Sequence, residues 1–143
     1  MTPATETTYH ATALSYRDKG LLLIGPSGSG KSSLALQMIA LGALLIADDH
    51  VVLRRAGSQV MMRCPPTIAG LIEARGIGVL KAPTEETVAL ASVVDLGQVE
   101  KERVPPHRNV SYLGVEFPLY WRVDAPHFAA GLLHLLAHGR SSR

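Results

Sequence analysis

Gly20-Leu21-Leu22-Leu23-Ile24-Gly25-Pro26-Ser27-Gly28-Ser29-Gly30-Lys31-Ser32 decides the fold of this chain. Residues 21–24 form a short apolar run between glycines, the pattern of a strand buried on both faces. From Gly25 onward the spacing is that of a phosphate-binding loop, a first glycine followed after four residues by Gly-Lys-Ser. Glycine lets backbone wrap tightly enough to aim N–H groups at phosphate oxygens. The start of the helix that follows adds positive potential. Lys31 is placed to neutralise the β- and γ-phosphates of a nucleotide, and the Ser32 hydroxyl to ligate magnesium. The expected nucleotide-binding residues are therefore Gly25, Pro26, Ser27, Gly28, Ser29, Gly30, Lys31, Ser32 and Ser33.

Outward from the loop, residues 32–41 carry Leu34, Leu36, Met38, Ile39 and Leu41, good helix formers that are apolar on much of their circumference. Gly42 marks the helix stop. Residues 43–47 read as a second buried strand that runs into Asp48-Asp49. Strand, loop, helix, strand predicts a βαβ unit with a right-handed crossover. Carboxylates at that strand end fall beside the phosphate crevice. One can hold magnesium, directly or through water, and the other can accept a proton; the residues leave open which does which. An Asp-Asp pair is otherwise a solvated turn.

Residues 1–7 read as a frayed tail, and flexibility is expected through residue 8. Residues 9–14 alternate as a first strand would, with a turn at 15–19. A hairpin is expected over 51–55 and 59–63 around Ala56-Gly57-Ser58, and another strand over 88–96. Residues 98–109, polar and containing Pro105-Pro106, read as a mobile loop. Residues 110–123 read as β. A last helix is signed by Asp124 as cap, Pro126 in the first turn and Gly139 at the end, with Phe128, Leu132, Leu133, Leu135 and Leu136 as its packing face.

The chain has 143 residues, the size of one domain, and 47% of them are hydrophobic, enough for a real core. The formal net charge is +2 with no basic stripe, so nucleic acid is not the expected partner. A single cysteine, Cys64, allows no intrachain disulfide and fits a reducing compartment. No apolar run approaches the ~18 residues of a membrane span, and the polar N-terminus lacks a secretory signal. The expectation is a soluble, cytoplasmic, single-domain protein with no membrane partner.

Other candidates carry less by themselves. Glu73-Ala74-Arg75-Gly76-Ile77-Gly78 reads either as a solvated Glu–Arg edge or as a metal-binding acid with an arginine that stabilises transferring charge. His10, ahead of the first core strand, is on its own an ordinary surface or core histidine. His134 and His138 stand one helical turn apart, but with no third ligand in view they read as a polar helix face. Trp121, Tyr120 and Phe117 read as core or interface, and Met61, Met62 and Cys64 carry no visible chemistry.

The ordered motifs Leu23-to-Ser32, Ile46-Ala47-Asp48-Asp49 and Glu73-to-Gly78 resemble the catalytic domain of HPr kinase/phosphorylase, most strongly up to Val79 and loosely as far as Leu136. The resemblance implies a P-loop α/β fold with a mixed, partly parallel sheet, similar to phosphoenolpyruvate carboxykinase. It implies ATP and Mg2+ as cofactors and an HPr-like phosphocarrier protein of the phosphotransferase system as the acceptor, phosphorylated on serine. It implies a homo-oligomer, a hexamer in the family, and a short form without the family's N-terminal regulatory domain, as expected of alphaproteobacteria. Carried over residue by residue, His10 becomes an active-site residue and Ser27 a phosphate contact. Lys31 meets the transferred phosphate. Ser32 and Glu73 become magnesium ligands. The proton acceptor comes from the aspartate pair, with Asp49 favoured over Asp48. Arg75 and Arg103 become active-site arginines.

Departures from the family pattern are also informative. Ser33 stands where the family usually has an acid, and Ala74 replaces the isoleucine of Glu-Ile-Arg-Gly. The region after Val79 is shorter. Arg122-Val123-Asp124-Ala125-Pro126-His127 lacks the Pro-Val to Gly-Arg-Asn stretch tied to dephosphorylation, so phosphorylation is expected more than its phosphorolytic reversal. Two alternatives remain: a P-loop kinase of small molecules, against which no arginine lid cluster is visible, and a non-catalytic nucleotide sensor, which would need no acidic pair.

Overall fold

The apolar run ahead of the loop folds as a strand deep inside the sheet of a computed structural model, which describes residues 5–142. In chain order the elements are β1 (Glu6–Tyr9), β2 (Thr12–Tyr16), β3 (Lys19–Ile24), α1 (Lys31–Ala40), β4 (Leu44–Ala47), β5 (Val51–Ala56), β6 (Gln59–Arg63), β7 (Leu71–Ala74), β8 (Gly78–Lys81), β9 (Thr87–Val99), β10 (Asn109–Tyr112), β11 (Val115–Arg122) and α2 (Phe128–His138), with a 3-10 turn at Pro66–Ile68. Leu21, Leu22 and Leu23 of β3 are fully buried. Leu21 and Leu23 join the core beneath α1 and α2, whereas Leu22 joins the core on the opposite face. Burial on both faces explains why the sequence shows a continuous apolar run and not alternation.

Nine strands form one sheet in the order β1-β5-β6-β9-β3-β2-β4, with the β10–β11 hairpin attached through β11. β9 pairs parallel with β3 and with β11, and the remaining pairs are antiparallel. The sheet is thus mixed and partly parallel, as expected. The expected βαβ unit differs in one respect. β3 and β4 are not neighbours, because β2 lies between them, antiparallel to both. Arg17 and Asp18 both take positive φ (51° and 63°) and close a two-residue β2–β3 hairpin. That short local turn brings β2 to the edge of β3 that a simple crossover would have given to β4.

The first strand expected over 9–14 is split at His10-Ala11 into β1 and β2, and Glu6 and Thr7, read as tail, pair with β5. The first four residues of that tail lie outside the described residues. α1 ends as Gly42 implies. Gly42 takes φ 113°, its N–H donates to Ile39 O at 3.0 Å, and the Ala43 N–H donates to Met38 O at 3.0 Å. These are the paired bonds of a Schellman stop. α2 starts later than expected. Its N-cap is His127, Pro126 precedes it, and Asp124 caps nothing because it forms an ion pair with Arg122 Nε at 3.0 Å.

β9 runs on through Gln98 and Val99, so the irregular segment is 100–108. Glu100 anchors it. Its side chain is 6% exposed, its N–H donates to Arg122 O at 2.8 Å, and its carboxylate pairs with Arg108. Arg108 in turn stacks 3.6 Å over the Trp121 ring. The Arg108 hydrogen bond, helped by the Lys101 and Glu102 N–H groups, holds the Glu100 carboxyl below its ordinary range against the opposing pull of burial. A carboxyl depressed in the folded state stabilises fully above its unfolded pKa, and that contribution is lost as pH falls through the folded value. The urea midpoint of the native chain should therefore fall more between pH 6 and pH 3 than that of Glu100→Gln. Parallel curves for the two proteins would refute the assignment.

Candidate active site

β3 delivers the chain directly into the loop, and packing specifies its first residue. A Cβ on Gly25 would lie 2.7 Å from Ser29 Oγ and 3.2 Å from Gly97 N, so no larger residue fits there. The Ser29 N–H donates to Pro26 O at 3.0 Å and tightens the bend. Gly28 and Gly30 take φ 82° and 98° with open space where a Cβ would stand, leaving their backbone uncovered. The Ser29 hydroxyl is buried without a hydrogen-bond partner among the described residues. Lys31 is only 7% exposed, and its Nζ donates to Gly25 O at 2.8 Å and Pro26 O at 3.2 Å. The ammonium thus sits inside the bend, beside the N-terminus of α1. Positive charge, uncovered N–H groups and a helix N-terminus converge on one small volume, which suits an anion of the polyphosphate class.

The adjacent aspartates turn to opposite sides. Asp48 is 9% exposed. Its Oδ1 accepts from Thr12 Oγ1 at 3.0 Å and Ser32 Oγ at 2.7 Å, and its Oδ2 from the Glu73 N–H at 3.2 Å. Asp49 takes φ 70°, which for a non-glycine residue costs about 1–3 kcal/mol. Bonds from the neighbouring segment hold it there: the Ala11 N–H donates to Asp49 O at 3.1 Å, and the Asp49 N–H to Thr12 Oγ1 at 3.3 Å. Its carboxylate faces outward, with Oδ1 2.5 Å from His10 Nε2 and Oδ2 3.5 Å from His50 Nδ1.

A cleft of about 330 Å³ opens over the loop, lined by Ser27, Gly28, Gly30, Lys31, Ser32, Ser33, Asp49, Glu73 and Arg75. Glu73 and Arg75 arrive on the β7–β8 hairpin, where Ile72 and Ala74 point into the core and Glu73 points out. The exposed Glu–Arg edge read from the sequence is thus the far wall of the cleft. His10 and Asp48 stand behind this lining, holding Asp49 and Ser32 respectively. Arg103 is not brought in. It lies exposed on the 100–108 segment and makes no side-chain hydrogen bond or ion pair among the described residues. The His134 and His138 rings sit tilted on α2 with centroids 4.6 Å apart, and neither lines the cleft.

Among the described residues, no group of three or more His, Cys, Asp or Glu side chains is arranged to hold a metal ion. Ser32 and Glu73 at the cleft wall instead suit a magnesium ion that takes most of its ligands from phosphate and water. Sequence reading misses three neighbours of the site. Thr12 is fully buried between Ala11 and Ala13, and its hydroxyl orders both aspartates; the signal is a polar residue in an apolar strand. His50 directly follows the acidic pair. Cys64 is half-buried, and burial first, then the charge of Asp48, pushes its thiol up.

Comparison with known proteins gives the family. Residues 2–96 match the family model of the HPr serine kinase C-terminal domain, a span that contains the loop, both aspartates, Glu73 and Arg75 but not Arg103. The HPr kinase/phosphorylase of Chromobacterium violaceum is 40% identical over 82 residues, covering 57% of this chain and 26% of that protein. That of Alkaliphilus metalliredigens is 43% identical over 74 residues, or 51% of this chain and 24% of that protein. That of Burkholderia cenocepacia is 44% identical over 82 residues, or 57% of this chain and 26% of that protein. The chain therefore spans about a quarter of the length of the curated relatives it matches. The solved Hpr(Ser) kinase/phosphatase from Coxiella burnetii shares the fold, with a TM-score of 0.77 over 92% of this chain and 94% of that chain at 23% identity. No helix among the described residues is long and apolar enough to cross a membrane.

Proposed function

This chain belongs to the HPr serine kinase C-terminal domain family, and from that premise we propose that it transfers the γ-phosphoryl group of ATP to a serine of an HPr-like phosphocarrier protein. One observation carries the reading. Asp49 is held by His10 at 2.5 Å on the wall of the same cleft that contains Lys31 and the loop. A nucleotide sensor has no need of an oriented carboxylate opposite its phosphate site.

The loop N–H groups and Lys31 bind and orient the triphosphate. Ser32, oriented by Asp48, and Glu73 would hold Mg2+, which when bound screens the phosphate charge. Asp49 takes the proton of the serine hydroxyl as its oxygen forms a bond to the γ-phosphorus and the bond to the ADP oxygen breaks. Arg75, on the far wall, meets charge on the group in transfer. His10 keeps the Asp49 carboxylate aimed into the cleft. Among the described residues Arg75 is the one arginine of the cleft lining, which disfavours a small-molecule kinase that closes an arginine lid over its substrate. Residues 122–127 lack the stretch tied to dephosphorylation, so transfer to the carrier is the proposed direction.

The test incubates the native chain with γ-labelled ATP and a purified HPr-like carrier, alongside a panel of small hydroxyl acceptors. Labelling of one carrier serine at a rate on the order of 1–100 per second is expected. ATP binding without labelling of any acceptor would leave the sensor reading standing. Labelling of small acceptors alone would make the protein a small-molecule kinase.

A further inference from the structure

His10 accounts for one oxygen of the Asp49 carboxylate. The other, Oδ2, lies 3.5 Å from Nδ1 of His50, and the two imidazoles flank the carboxylate with ring centroids 5.8 Å apart. Neither histidine lines the cleft, whereas Asp49 does. Anything His50 contributes to chemistry must therefore pass through Asp49. Oδ1 is committed to His10, which leaves Oδ2 to receive a proton, and His50 is the side chain beside it.

We propose that His50 is a positioning residue, which sets the rotation of the Asp49 carboxylate and so the direction in which Oδ2 faces the acceptor hydroxyl. The inference rests on the reading of Asp49 as proton acceptor. A purely structural role is disfavoured by the surroundings of His50. Its side chain is 54% exposed, and ion pairs in water contribute little to folding. The turn is secured by backbone bonds that any residue at this position would keep, since the His50 N–H donates to Asp48 O at 2.8 Å. A carboxylate held at one oxygen only can still swing about its Cβ–Cγ bond. The His50 contact at the other oxygen opposes that swing, and misalignment of a reacting group costs rate more than affinity.

The test uses His50→Phe, which removes the ring nitrogen, and His50→Asn, which offers an amide nitrogen in its place. Each is also combined with Asp49→Asn. His50→Phe should lower kcat about tenfold with KM for ATP and Tm unchanged. His50→Asn should recover kcat to within about threefold, and neither change should lower the rate further once Asp49 is Asn. A kcat within about twofold of native in His50→Phe, an equal loss in the Asp49→Asn background, or a joint fall in Tm and ATP affinity would each overturn the proposal. If the native chain transfers no phosphoryl group to the carrier, the proposed function fails separately. The role of His50 is then read from the Asp49 carboxyl carbon and His10 ring nitrogen resonances. Shifts in His50→Phe that His50→Asn restores would support it, and unchanged resonances would overturn it.

Discussion

Asp49→Asn should cut phosphoryl transfer by about 10²–10⁴-fold, the range spanned by a general base, while leaving ATP affinity within about twofold. The substitution is close to a pure chemical change. Asparagine tolerates positive φ as well as aspartate does, so the left-handed backbone at φ 70° is kept. The backbone bonds from Ala11 and to Thr12 do not involve the side chain. What is lost is the ability of the carboxylate to take a proton, together with the charge that meets His10 and His50. Asp48→Asn is the instructive contrast. Its carboxylate accepts three hydrogen bonds, from Thr12, Ser32 and Glu73. An amide must turn its NH₂ toward one of these donors, so this variant should lose folding stability and magnesium affinity together. Single-turnover transfer, ATP titration and urea unfolding separate the two variants. Native-like single-turnover rates in Asp49→Asn would remove it as the base.

Lys31→Met should lower transfer by a further large factor, about 10²–10³-fold, because a fixed positive charge at a water-poor site is lost where phosphate charge is borne. Here ATP affinity should fall as well, since the ammonium serves the ground state and the transition state alike. The folded protein should also feel the change without nucleotide. Lys31 Nζ donates to Gly25 O and Pro26 O; Pro26 O keeps the Ser29 N–H, but leaving Gly25 O unpaired costs about 1–3 kcal/mol. A lower urea midpoint together with weak ATP binding by calorimetry is therefore expected. Methionine matches the length and burial of the lysine stem, so an unaltered midpoint would mean that the loop carbonyls find water instead.

Elements whose cause is local are legible in the order of residues. The two-sided burial of residues 21–24, the glycine spacing of the loop and the glycine stop at Gly42 each follow from turn chemistry or short-range periodicity. The hairpin around Ala56-Gly57-Ser58 is legible for the same reason. The start of α2 is misread from the sequence although its cues are local. Asp124 has the chemistry of a cap, but Arg122, turned toward it at the end of β11, takes the carboxylate first. The pairing of β2 with β4 is out of reach because, unlike the local β2–β3 hairpin, it is chosen through tertiary packing. Arg103 shows the limit of matching by order alone. It falls beyond the span that matches the family model, and it is not among the residues that line the cleft.

The sequence by itself determined that a strand, a phosphate-binding loop and a helix follow one another, and that two acids stand at the next strand end. It did so because those features lie within a few residues of each other and depend on backbone chemistry alone. Only the tertiary structure decided where each carboxylate points. Asp48 and Asp49 are neighbours of identical chemistry, and nothing in their order distinguishes them. A left-handed bend at Asp49 sends the two carboxylates to opposite sides. Thr12 and Ser32 then draw one inward, and His10 and His50 flank the other, which lines the cleft. Thr12 and His10 lie more than thirty residues upstream of the acids they meet. Such contacts exist only once the sheet has formed.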